Sequence, residues 1–218
     1  MSSHSLTILY YTANREDENF ASRIRENILS VSGGLPIVSV SQKPLCFGKN
    51  ICVGMHDNCY HNAARQVQIG LRAIDTPYVI AANSDTLYPP EYFQFKISGR
   101  GWVYRYNNVW VHYTQFKGQP KFWFKGVSHC AQVVDRELWL KRIDRVMDKL
   151  PKWRIDKIDR ISSIHFKHYE HMAADNPVIT FKTRTGVKST TAVKRGHLPK
   201  YSLPYWGSAK ALREKMFQ

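Results

Sequence analysis

The chain reads as an α/β protein with a mostly parallel central sheet flanked by helices. Three observations predict this. Short apolar runs at residues 6–11, 36–40 and 78–82 have strand length. The intervening segments carry helical periodicity. Strand–helix–strand–helix–strand spacing implies crossover connections rather than hairpins. At 218 residues the chain is expected to form one domain, with 1–90 as one half and 91–218 as the other.

The first strand, LTILYY, ends at the polar Thr12-Ala13-Asn14-Arg15. A helix then starts among Glu16, Asp17 and Glu18, acids that suit its positive N-terminus, and Phe20, Ile24 and Ile28 form its apolar stripe. Gly33-Gly34 breaks it before PIVSV, the second strand. A loop rich in Gly, Asn and Cys leads to a second helix over 58–74, with Ala63, Val67, Leu71 and Ile74 on one side and Asp57 or Asn58 as its cap. The run YVIAA is the third strand, and it stops on Asn83-Ser84-Asp85 before Pro89-Pro90 forbids regular pairing. Alternating residues 101–106 and 109–113 around Asn107-Asn108 predict an antiparallel hairpin. Further elements are expected at Phe122-Trp123-Phe124, at 129–134, in a helix over 135–149 headed by Asp135 and Glu137, in the strand VITF, and in a terminal helix over 209–217.

The formal net charge is +15, unevenly spread. Residues 1–140 hold 14 Lys and Arg against 10 Asp and Glu, whereas residues 141–218 hold 18 against 7. This basic C-terminal segment suits a polyanionic partner, such as nucleic acid, a phosphorylated ligand or an anionic membrane surface; a solubilising charged face is the plainer reading. No stretch has the length of a membrane span and MSSHS lacks the apolar core of a signal peptide, so a cytoplasmic location is expected. Cys46, Cys52, Cys59 and Cys130 form no C-x-x-C pair, which favours free thiols over a zinc site with His56 and His61.

In a parallel sheet, ligands bind beyond the carboxyl ends of the strands. Those ends hold Thr12, Asn14 and Arg15, then Ser41 and Gln42, then Asn83, Ser84 and Asp85. A carboxylate with Asn and Ser oxygens beside it suits a hard divalent cation, although Asp before Pro-Pro also suits a turn. His165, His168 and His171 at three-residue steps read either as separate surface histidines or as one side of a helix. The loop KTRTGVKSTTAVKRG offers Lys182, Arg184, Lys188, Lys194 and Arg195 to a diphosphate or a nucleic-acid backbone.

The helix NCYHNAARQ followed by a strand ending in Asn83-Ser84-Asp85 resembles the core of GT-A glycosyltransferases, especially the family 2-like enzymes, whose Rossmann-like sheet ends in a D-x-D motif. Here Asn83 replaces the first Asp of that motif. The segments SQKPLCFGKNICVG, ARQVQIG, DTLYPPEYF and LPYWGSAKALREK also resemble glycosyltransferases carried by bacteriophages. The resemblance implies a nucleotide-sugar donor, of the UDP-sugar type, over Thr12, Asn14, Arg15, Ser41 and Gln42. Arg65 would support the diphosphate, with Lys182 and Arg184 closing over it. Asp85 would bind Mn or Mg, with His171 or His197 as further ligands, and Asn83 would serve as a weaker one. Asp156 and Asp159 are candidates for the general base.

DNA, as a hydroxymethylated or hypermodified pyrimidine or a sugar already on it, is the acceptor that charge and resemblance favour, with Lys188, Lys194 and Arg195 along its backbone. A transferase acting on surface polysaccharide or lipid-linked sugar, and a catalytically inactive nucleic-acid-binding module, remain the other readings.

Overall fold

The computed structural model describes residues 5–114, 118–154, 164–186 and 196–218. Among these, seven strands form one sheet and four form a second, smaller one. In chain order the elements of the larger sheet are β1 (Leu6–Thr12), β2 (Ile37–Ser41), β3 (Lys49–Cys52), β4 (Tyr78–Asn83), β6 (Val103–Tyr106), β9 (Gln132–Asp135) and β10 (Glu170–Met172). They lie in the order β10-β6-β9-β4-β1-β2-β3. Every neighbouring pair is parallel except those made by β9, which runs antiparallel to β4 and β6. The expected α/β class with a mostly parallel sheet is therefore the observed one.

Side-chain alternation sorts the core into two layers. Ile8, Tyr10, Ile80 and Ala82 face one side with Phe20, Ile24 and Ile28 of α1 (Glu18–Val31). Leu9, Val79 and Ala81 face the other with Val67 and Leu71 of α2 (Tyr60–Arg72) and Trp139, Ile143 and Met147 of α4 (Arg136–Met147). Asp17 caps α1 through Asn19 N and Phe20 N, and Asp135 caps α4 through Leu138 N. Gly70 lets α2 settle against the sheet, because a Cβ there would lie 2.3 Å from Leu9 Cδ1. On the opposite layer, α5 (Ala209–Phe217) joins the core by stacking Phe217 on Phe20 at 4.7 Å.

The smaller sheet has the order β5-β11-β7-β8, from β5 (Thr86–Leu87), β11 (Val178–Phe181), β7 (Val109–Tyr113) and β8 (Lys121–Gly126). Between β5 and β6, α3 (Pro90–Phe93) starts at the second proline of the Pro-Pro pair. A hairpin of β12 (Ser202–Leu203) and β13 (Gly207–Ser208), joined by three residues, precedes α5.

Three local expectations are corrected, and for the three histidines the reading as separate surface residues holds. Residues 101–113 do not form a hairpin: β6 pairs within the larger sheet and β7 within the smaller one. Asn107 N donates to Met172 O and Val178 N donates to Asn108 O, so the two asparagines splice the sheets together. Asn108 Nδ2 also donates to Asp175 O at 2.8 Å, and its Oδ1 accepts from Trp110 Nε1 at 2.8 Å. The loop after β2 contains β3, an edge strand too polar to show as an apolar run. Helix α2 begins later than expected, with Cys59 at its N-cap and no side-chain cap from Asp57 or Asn58. His165, His168 and His171 share no helix, since β10 takes in His171.

Gly48, at φ +61°, joins β2 to β3, and a Cβ there would lie 2.4 Å from Ile37 O. Gly48→Ala is therefore expected to cost about 2–4 kcal/mol, from strain added to a backbone clash. Urea denaturation of the two proteins measures it, and equal midpoints would contradict this packing.

Candidate functional site

The parallel ladders level the carboxyl ends of three strands. Thr12 lies opposite Ser41, and Tyr11 lies opposite Asn83. The chain then turns through Ser84-Asp85 and enters β5 of the smaller sheet. Phe181 N donates to Asp85 O at 2.7 Å, which ties this turn to the end of β11. A cavity of about 620 Å³ occupies the junction of the two sheets, and Thr12, Arg15, Gln42, Asn83, Ser84 and Asp85 all line it. Lys182 lines it as well, together with Thr180, Thr183, Thr185 and Gly186 from the end of β11 and the loop that follows.

Other candidates stand outside this wall. Asn14, at φ +50°, accepts from Gln42 N at 2.9 Å and Lys43 N at 3.0 Å through its Oδ1, bracing the first two strand tips from behind. Ser41 is fully buried, and its Oγ donates to Lys43 O at 2.6 Å. Arg65 points away from the cavity and gathers the C-terminal end of α4. Its guanidinium donates to Met147 O at 2.7 Å, Lys152 O at 3.0 Å and Pro151 O at 3.1 Å, and to Gln68 Oε1 at 2.5 Å. Arg184 is exposed and does not line the cavity. Neither His171 nor His197 lines it; His171 meets the Tyr169 ring edge-on and His197 packs on Phe124. Asp156, Asp159, Lys188, Lys194 and Arg195 lie outside the described residues.

Several lining residues were not among the donor, metal or catalytic candidates of the sequence. Gln66 Nε2 donates to Thr12 O at 2.8 Å and Val40 O at 3.0 Å, locking α2 to two strand ends from inside the fold. Asn62 holds the N-terminus of α2 to the chain after α4, through Asp57 O and Arg154 O, both at 2.8 Å. The first residues of α2 line the cavity, so the positive end of its dipole adds to Arg15, Lys125 and Lys182. Lys125 arrives through a β-bulge in β8, where the register with β7 shifts between Val109 and Trp110. His129 and His165 also line the cavity and stack on one another with ring centres 3.9 Å apart.

The electrostatics centre on Asp85. Desolvation raises its carboxyl pKa, while the Thr86 hydroxyl bond (2.9 Å) and the Lys125 charge oppose that rise. Burial also raises the pKa of Tyr11 beside it, and the Asp85 charge adds to the effect. Asn83 Oδ1 is buried without a hydrogen-bond partner. A carboxylate and an unsatisfied amide oxygen two residues apart fit a hard divalent cation that takes its other ligands from phosphate and water. Among the described residues, no group of three or more His, Cys, Asp or Glu side chains forms a metal site.

No protein-family model matches the chain, and no curated protein matches it. Solved structures similar to it include a glycosyltransferase involved in glycosylation of the major capsid of PBCV-1, at 13% identity and TM-score 0.41, over 66% of this chain and 65% of that one. The catalytic domain of Drosophila β1,4-galactosyltransferase 7 in complex with xylobiose follows at 13% identity and TM-score 0.38, over 63% and 50%. The bifunctional IspDF of Campylobacter jejuni matches at 10% identity and TM-score 0.36, over 75% and 52%. The matches thus span from half to just under two thirds of those chains. Likeness at this level assigns no activity.

Two outcomes follow from this geometry. Ionising Asp85 is disfavoured in the folded protein, so its contribution to stability is full below the ordinary carboxylate pKa and is lost as pH rises. Without divalent cations, Asp85→Asn should therefore melt above the parent at neutral pH, and the gap should close on acidification to about pH 4. A gap independent of pH in thermal melts would contradict the assignment. Arg65→Met should destabilise by about 2–4 kcal/mol, because it strips one buried and two part-buried carbonyls of their donor; denaturant titration reads this directly.

Proposed function

We propose that this protein transfers a glycosyl group from a nucleotide-sugar donor, a UDP-sugar in the first instance, to an acceptor hydroxyl. The observation that carries the proposal is the pairing of Asp85 with the unsatisfied Asn83 Oδ1 at the tip of β4. That pair shares its cavity with Thr12 and Gln42 from the neighbouring strand tips. The cavity volume suits a nucleotide-sized ligand.

In this reading Thr12, Arg15 and Gln42 bind the nucleoside end, and Asn83, Ser84 and Asp85 face the diphosphate. Asp85 and Asn83 are the residues that would hold Mn or Mg. When bound, such an ion supplies charge neutralisation to the departing nucleoside diphosphate. Arg15, Lys125, Lys182 and the N-terminus of α2 add fixed positive potential around the same leaving group, with no reorganisation during the reaction. The bond broken joins the sugar's anomeric carbon to the diphosphate oxygen, and the bond formed joins that carbon to the acceptor oxygen. A base must take the acceptor proton, and Asp156 and Asp159 are the candidates carried forward from the sequence.

For the acceptor, the charge excess of residues 141–218 favours a polyanion. A hydroxymethylated pyrimidine in DNA, or a sugar already attached to one, combines that charge with a reactive hydroxyl. Among the described residues no helix is long and apolar enough to cross a membrane.

The test is transfer from radiolabelled UDP-sugars to hydroxymethylated DNA, with glycan and lipid acceptors alongside and calorimetric titration of UDP with and without Mn. UDP binding strengthened by Mn, with label appearing in DNA, is the expected result. Asp85→Ala should lower turnover by about 10²-fold or more. Absence of UDP binding would remove the donor assignment, and label entering only glycan or lipid would remove the DNA acceptor.

A further inference from the structure

Residues opposite one another in a β ladder share a face of the sheet. In the smaller sheet one such row runs Thr86, Thr180, Val111, Trp123, and Thr180 and Val111 line the cavity. The next row contains Tyr113 opposite Lys121. Lys182, bonded from its N to His112 O, continues β11 on the same face as Thr180. The opposite face carries Phe122 and Phe181 and packs into the core with Phe20 and Leu212. The outer face is different in kind. Tyr113, Lys121, Trp123, Lys125 and Lys182 are all half-buried, and neither row holds an acidic residue. Lys121 Nζ sits 4.8 Å over the ring of Tyr201, which is 57% exposed and extends the face outward. Rings and ammonium groups thus alternate from the cavity mouth to Tyr201.

We propose that this sheet face is the acceptor-binding surface, and that its ligand is a single-stranded or locally unpaired nucleic acid. The inference rests on the transferase reading for its purpose but not for its geometry. Lys121 and Lys125, spaced along the face, match a phosphodiester backbone, and half-buried Trp and Tyr rings offer stacking faces to bases that have left a duplex. A neutral glycan would use the rings and draw nothing from the lysine charge. A double helix would meet the lysines but hide its bases from the rings. Continuity of the face with the cavity through Thr180, Val111 and Lys125 delivers one nucleotide of the bound strand to the cavity that Lys125 and Asp85 both line.

Fluorescence anisotropy of labelled oligothymidylate on the full chain tests this, with a duplex and a neutral xylo-oligosaccharide as comparison ligands. The single strand is expected to bind more tightly than the duplex. Trp123→Leu and Tyr201→Ala should each weaken it about fivefold or more, and Lys121→Gln should lower the slope of log affinity against log salt by about one. Tyr201 is on the surface, so its variant keeps the test valid should Trp123→Leu fold poorly. Equal binding of duplex and single strand with both aromatic variants unaffected would overturn the proposal. So would Trp123-dependent binding of the oligosaccharide without oligonucleotide binding. UDP titration of the parent reads the donor cavity separately: oligonucleotide binding that depends on Trp123, without UDP binding, upholds this surface and defeats the donor reading.

Discussion

Asp85 sits in the short turn through which the chain leaves the seven-stranded sheet and enters the four-stranded one, and the Phe181 N to Asp85 O bond holds that turn against β11. Much else depends on this crossing. It opens a cavity between the sheets, since neither can continue the other's ladder there. It also places the carboxylate where the strand tips of one sheet meet the basic face of the other. Gln66 fixes the height of the first two tips from within, so Thr12 and Gln42 reach the cavity while Asn14 and Ser41 serve the scaffold.

A buried carboxylate with a raised pKa, near Lys125 on one hand and Glu16 on the other, is a compromise between stability and charge. Burial alone favours the neutral acid, whereas Lys125 and the Thr86 hydroxyl favour the anion. The Asn at position 83 relaxes that tension. A second carboxylate two residues away would have raised the cost of ionising either one. An amide oxygen keeps a donor available without adding repulsion.

The α/β class and the tips of β1, β2 and β4 were legible because each rests on a local pattern. Short apolar runs of strand length, an i, i+4 stripe at Phe20, Ile24 and Ile28, and an acid just past a strand end are all visible within a few residues. What escaped was settled by distant partners. Asn107-Asn108 has the composition of a hairpin turn, but Met172 and Val178 decide where the flanking strands pair. Arg65 looked available for a diphosphate because its carbonyl partners lie more than 80 residues away in the chain. Lys125 enters the cavity by a one-residue bulge, which no hydropathy pattern records. Edge strand β3 was hidden by its polarity.

Two short splices, at Ser84-Asp85 and at Asn107-Asn108, join the sheets covalently, and the second is anchored by Asn108 bonds on both sides. Connections of two residues leave the sheets little freedom to separate at those points. Near Ser84-Asp85 the width of the cleft is thus set by backbone, and adaptation to guests of different size falls first to side chains and to the loops that border it.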